Sequence, residues 1–513
     1  MVSANKTIVR NTMFLYIRML FIMLVALYTS RVILQKLGVN DYGIYQTVGG
    51  IVGLLSFINS ALSSGSSRFL TYELGRSDKQ KLQKTFSTTL TIHIIIAAII
   101  VLVAETAGLW FLYNKLIIPP DRLEAAVYVF HISILTAVFT LTQVPYNASI
   151  ISHEKMAVFA YIGIVEVLSK LAILYLLNIG TCDKLKLYAT LLFMVQISLM
   201  LFYRFYCRRH FEETVFQLSI DKNILKPIAS FSAWSLFANG AIALNGQGVL
   251  MLLNMFFSPA VVTARAISIQ VNMAATQLIS NFRTAVNPQI VKKYAIEDYD
   301  GSKQLLLSST KYSYYLTLLI CLPIYLLAEP LLTFWLGIVP EYTVVFVQII
   351  IIQSLFQVFD TSFYTALYAK GRLRENALIS PTLMFLQFPL IYVLFKFGYS
   401  PLVLSWTNLI LYIILGLIVK PILLIKFVEY KWSEILCVFK SCLWVTLVAL
   451  PLPIILVYTI DVTLVNFVEL ILCVLFIIFI VLISAFFIGL DRETRTKIGL
   501  LVQSKIITKK DGK

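Results

Sequence analysis

Apolar stretches of roughly twenty residues recur along almost the whole chain, separated by short polar or basic segments. A bilayer-spanning helix needs about that length. The pattern predicts about 14 spans, at 12–35, 43–67, 86–112, 125–150, 157–177, 187–206, 229–256, 260–287, 307–328, 342–368, 377–397, 401–425, 438–460 and 464–489. The period-two alternation of a membrane β-barrel is missing from these stretches. Small and polar positions concentrate unevenly. The second span carries Gly49, Gly50, Gly53, Asn59 and Ser63; the seventh carries Asn245, Gly246, Gln247 and Gly248; the eighth carries Gln270, Asn272, Gln277 and Asn281. Such faces within a bilayer mark close helix packing or a wet cavity. The last two spans are nearly uniformly apolar and read as lipid-facing. Polar helices near the start of each half suggest a duplication. QVPYNASIISHEKM (143–156) then falls against DTSFYTALYAKGRL (360–373), each ending the fourth span of its half before a basic loop. The expected fold is an all-α polytopic membrane protein with two pseudo-symmetric six-helix lobes, 1–215 and 216–430. Two C-terminal spans (431–490) and a basic tail (491–513) complete it.

Composition agrees: 59% of residues are hydrophobic and 13% charged, against about a quarter charged in soluble domains. The net charge of +16 would suit nucleic acid, but its distribution argues for a membrane. Most basic residues fall in alternate loops, among them Lys6, Arg10, Arg76, Lys79, Lys84, Arg208, Arg209, Lys292, Lys370, Arg372, Lys420, Lys426 and the tail lysines. The opposite loops hold only Arg31, Lys36, Lys115, Arg122, Lys184, Lys186 and Lys396. By the positive-inside rule both termini face the cytoplasm. The first apolar run is too long for a cleaved signal and reads as an anchor. Six cysteines and four histidines show neither disulfide-framework nor metal-ligand spacing. There is no phosphate-binding G-x-x-x-x-G-K-[ST] run. Asp298-Tyr299-Asp300 has a metal–nucleotide-sugar spacing but sits beside Gly301 and reads as a turn. No cofactor or metal is expected, and for a coupling ion H+ and Na+ both stay open.

Four basic residues remain inside spans: Arg18, Lys170, Arg265 and Arg283. Ionised groups in hydrocarbon cost roughly 2.5–3.5 kcal/mol each on the lenient scale. Glu166 and Lys170 are spaced for a favourable helical ion pair, which would neutralise itself between helices or open during a transport cycle. The three arginines either reach headgroups or line a cavity, where a guanidinium suits a phosphate through paired hydrogen bonds. Asn59, Asn245, Gln270 and Asn272 are candidates for the same cavity. Asp360 and Glu105, the other deep acids, join Glu166 and Lys170 as candidates for gating or charge relay. His93 and His131 read as packed histidines.

LGVNDYGIYQTVGG (37–50), SSRFLTYELGRSDKQKLQK (66–84) and PYNASIISHEKM (145–156) resemble the polysaccharide transporter family of O-antigen flippase-like proteins. That family lies in the superfamily of multidrug extruders and lipid II flippases. The resemblance implies a non-enzymatic inner-membrane protein, a flippase for polyprenyl-diphosphate-linked oligosaccharide in O-antigen, lipopolysaccharide or related surface glycan synthesis. It further implies alternating access around a cationic cavity between the lobes. Partners would be the lipid-linked glycan, membrane lipids, and the polysaccharide polymerase and chain-length machinery. The alternatives are a cation-coupled multidrug extruder of the same superfamily and, from another class, a polytopic polymerase or ligase. Short predicted external loops disfavour the latter.

Overall fold

The computed structural model describes residues 21–54, 56–75, 78–153, 155–177, 182–215, 239–241, 243–459, 466–491 and 495–496. In chain order its main helices are α1 (Phe21–Leu37), α2 (Val39–Leu54), α3 (Ser56–Gly75), α4 (Lys79–Lys115), α5 (Pro120–Ser152), α6 (Met156–Leu176), α7 (Lys184–His210) and α8 (Val249–Phe256). There follow α9 (Pro259–Ala295), α10 (Tyr299–Leu326), α11 (Ala328–Leu336), α12 (Thr343–Ala369), α13 (Leu373–Lys396), α14 (Val403–Val428), α15 (Trp432–Thr459) and α16 (Phe467–Gly489). The protein is an all-α polytopic membrane protein. Among the described residues nine helices are long and apolar enough to cross a membrane, or ten if α1 and α2 count as one broken span. The polar helices α3 and α9 fall outside that count, as their amide, hydroxyl and glycine content requires.

The chain separates into two compact units. The first comprises 1–267, 340–343 and 377–403; the second comprises 268–339, 344–376 and 404–513. In the first, α5 is the central helix and packs on α2, α3, α4 and α7, burying Val129, Phe130 and Ile134. The α1–α2 pair bends by 116° at Gly38, whose φ of +84° suits glycine alone. Asp78 starts α4 by accepting from the Lys81 amide (3.0 Å). Asp183 starts α7 by accepting from the Leu185 and Lys186 amides, a side-chain substitute for missing helical partners. In the second unit α10 lies against α15 and α16, and Tyr315 bonds Ser441 at 2.7 Å.

Asp298 accepts from the Gly301 amide (2.9 Å) and from Lys293 (2.7 Å), so the Asp-Tyr-Asp segment is the capped start of α10 rather than the loop turn its sequence suggests. Lys420 requires a correction. The charge pattern assigns it to a loop, whereas it lies inside α14 and is only 2% exposed.

Candidate functional site

Polar groups inside the spans or at their ends gather at three places, and π-helical turns lie beside two of them. Such turns insert a residue into the helical ladder and redirect side chains. Glu105 lies in the turn Ala104–Gly108, Asn245 and Gln247 in Leu244–Gly248, and Lys420 directly follows Leu415–Val419.

The first place is a cavity of about 330 Å³ within the first unit. Its polar lining is Tyr45 and Gln46 of α2, Ser133, Thr136 and Thr140 of α5, and Gln247. Gly50 and Gly53 of α2 leave the room: a Cβ on Gly50 would lie 3.1 Å from the Gln247 Oε1 and one on Gly53 3.7 Å from its side-chain carbons. Nearby, Glu105 Oε2 stands 3.3 Å from His131 Nε2. His131 Nδ1 donates to the Val127 carbonyl (2.8 Å), so its Nε2 meets the carboxylate favourably only when one proton lies between them.

The second place, also in the first unit, is where Arg122 joins three helix starts. Its Nε donates to Asp41 Oδ1 (2.8 Å) and its Nη1 to Asp183 Oδ2 (2.6 Å). Burial works against ionisation of Asp183. Its hydrogen bonds from Arg122 and the two α7 amides outweigh that and hold its carboxyl below the ordinary 3.8.

The third place is in the second unit. Gly416 lets α14 touch α12, since a Cβ there would lie 2.7 Å from the Phe356 carbonyl oxygen. One turn further along both helices, Lys420 Nζ meets Asp360 Oδ1 at 3.1 Å, and Asp360 is 9% exposed. Lys420 also lies over the Tyr364 ring, 5.7 Å from its centroid. Arg283 of α9 donates to the carbonyl of Thr361, the residue after Asp360. Lys420 thus pairs with the carboxylate, while Arg283 is held on the backbone next to it.

Among the remaining predicted residues, Arg265 is 3% exposed, buried inside the first unit. Glu166 and Lys170 close on each other at 2.6 Å. Asn245 donates to Gln387 (2.9 Å), and Asn272 accepts from Ser354, so both amides bind neighbouring helices. Gln270 is half-buried on α9. Arg18 and the side chain of Asn59 lie outside the described residues. The structure therefore brings Arg283 and Asp360 together, but none of the predicted residues with a described side chain lines the 330 Å³ cavity. Lys420 was hidden by its position at the end of an apolar run. Ser133, Thr136 and Thr140 left a signal, a hydroxyl at i, i+3 and i+7 of one span.

No family model and no curated protein matches the chain. Its fold does match solved structures. An inward-facing multidrug resistance MATE family transporter of the MOP superfamily superposes with a TM-score of 0.63 at 14% identity, over 83% of this chain and 99% of that one. The inward closed lipid II flippase MurJ gives 0.64 at 13% identity, over 92% of this chain and 98% of that one. A MOP superfamily transporter from Pyrococcus furiosus, described as having a binding pocket of reverse polarity, gives 0.56 at 13% identity, over 82% and 96%.

Proposed function

We propose that this protein is a flippase, without a chemical step, that carries a polyprenyl-diphosphate-linked oligosaccharide from the cytoplasmic to the outer leaflet by alternating access. The observation that carries this reading is the charge balance inside the spans. Arg265, Arg283 and Lys420 are drawn into the helix bundles, and Asp360 is the acid paired with Lys420. Buried charge is costly, and an interior kept net positive is suited to a diphosphate, whose oxygens accept paired bonds from guanidinium groups. A cationic drug would be repelled. The fold is shared with a lipid II flippase over nearly all of both chains, and that match takes in more of this chain than the multidrug transporter match does.

On this reading the protein sits in a bacterial inner membrane with both termini in the cytoplasm. The arginines Arg18, Arg265 and Arg283 attend the diphosphate, and the Glu105–His131 and Asp360–Lys420 pairs serve gating or proton relay. A polymerase and chain-length machinery of an O-antigen-type pathway would take over the product. The drug-extruder alternative draws on the MATE matches. Deleting the protein separates the two: the flippase account predicts loss of surface glycan and accumulation of lipid-linked glycan. Unchanged glycan with new drug sensitivity would favour the extruder.

A further inference from the structure

The cavity in the first unit has a polarity opposite to what a phosphate requires. Ser133 donates its hydroxyl proton to the Val129 carbonyl (2.7 Å), Thr136 to Ile132 (2.8 Å) and Thr140 to Thr136 (2.8 Å). Each hydroxyl proton is spent on the backbone of α5, so the three oxygens face the cavity as acceptors. No described lining residue is charged. An anion would meet these acceptors with no cation to balance its charge, and a cation would find no carboxylate to neutralise it.

A neutral polyol satisfies the site. Its hydroxyls donate to the three side-chain oxygens and accept from the amide of Gln247. Tyr45, packed edge-on against Tyr188 (5.0 Å between centroids, 67°), adds an aromatic wall. The volume of about 330 Å³ falls in the range of small-molecule sites. The glycines matter here because they allow the Gln247 amide to lie directly on α2.

We propose that this cavity is a sugar subsite, holding a neutral monosaccharide unit of the transported glycan through uncharged hydrogen bonds. The diphosphate is left to the cationic groups elsewhere. The inference rests on the flippase reading, and it divides recognition of one substrate into two chemically distinct parts.

The test uses the full-length protein in lipid nanodiscs with two probes, undecaprenyl diphosphate and undecaprenyl diphosphate bearing N-acetylglucosamine. The wild type should bind the sugar-bearing lipid more tightly. Thr136→Val with Thr140→Val keeps the side-chain shape but deletes two acceptors, and should cut that advantage by about fivefold per hydroxyl. Binding of the bare lipid should not change. Ser133→Ala should act in the same direction and gives a second, independent variant. If the wild type prefers the sugar-bearing lipid and the valine variant keeps the full preference, the subsite is wrong while the flippase reading stands. Equal loss of both probes in the variants would make the hydroxyls structural and also overturn it. A wild type that binds neither probe would sink the flippase reading itself.

Discussion

Replacing Lys420 with methionine should destabilise the protein by about 3–5 kcal/mol, the cost of leaving a buried carboxylate without its counter-charge. Lys420 is 2% and Asp360 9% exposed, so water cannot take over from the missing ammonium. Arg283 would be the remaining cation nearby, but it is already committed to the Thr361 carbonyl. The double change Lys420→Met with Asp360→Asn should recover most of the loss, because removing both charges also removes their desolvation cost. Melting in detergent, compared among the wild type and the two variants, checks this. A double variant no more stable than Lys420→Met would mean that the pair is not the source of the effect. Transport by the double variant then has separate meaning. Full activity would reduce the pair to a structural role, whereas a stable but inactive double variant would mark it as a working part of the cycle.

Arg122→Ala should cost about 2–3 kcal/mol, the loss of charge-assisted bonds to Asp41 and Asp183. The side chains are only about a quarter exposed or less, 23%, 17% and 27% in that order. Without Arg122 two carboxylates would face each other where α2, α5 and α7 begin. The effect carries a pH signature. The Asp183 carboxyl lies below its ordinary value in the fold, so its contribution is complete above that ordinary value. It disappears as pH falls through the lowered one. The gap in melting temperature between wild type and Arg122→Ala should therefore narrow on the acid side. A gap that stays constant down to low pH would show that Arg122 acts through packing rather than charge.

Much of the architecture is legible in the sequence because hydrocarbon imposes a blunt rule on length and polarity. The expected spans at 86–112 and 342–368 return as Lys79–Lys115 and Thr343–Ala369, and the stretch 157–177 returns as the helix Met156–Leu176. Even the charged pair Glu166–Lys170 behaves as its spacing dictates, since partners four residues apart meet on one helix whatever the tertiary fold. Pairings between distant segments were not legible. Lys420 closes an apolar run, and a lysine there ordinarily marks emergence from the membrane. Only the close approach of Gly416 to Phe356 delivers it to Asp360. Arg122 likewise counts as one more loop base until Asp41 and Asp183 arrive from other parts of the chain.

The cavity hydroxyls escaped notice for a related reason. Serine and threonine in an apolar helix usually bond their own backbone, and these do. What gives them a second use is the facing surface of Gly50, Gly53 and Gln247, which no single span reveals. Glycine clustering in the second span was legible as either close packing or a wet cavity. That it opens a site rather than closing one depends on the π-turn that places Gln247.

Reconstitution into liposomes offers the most direct test of lipid-linked glycan translocation. The vesicles would carry an undecaprenyl-diphosphate oligosaccharide confined at first to the inner leaflet, with an impermeant glycosidase outside. The account predicts protein-dependent exposure of the glycan to the enzyme, abolished or strongly slowed by Arg265→Ala in a protein that still inserts normally. Glycan that stays protected in vesicles containing folded wild-type protein would contradict it.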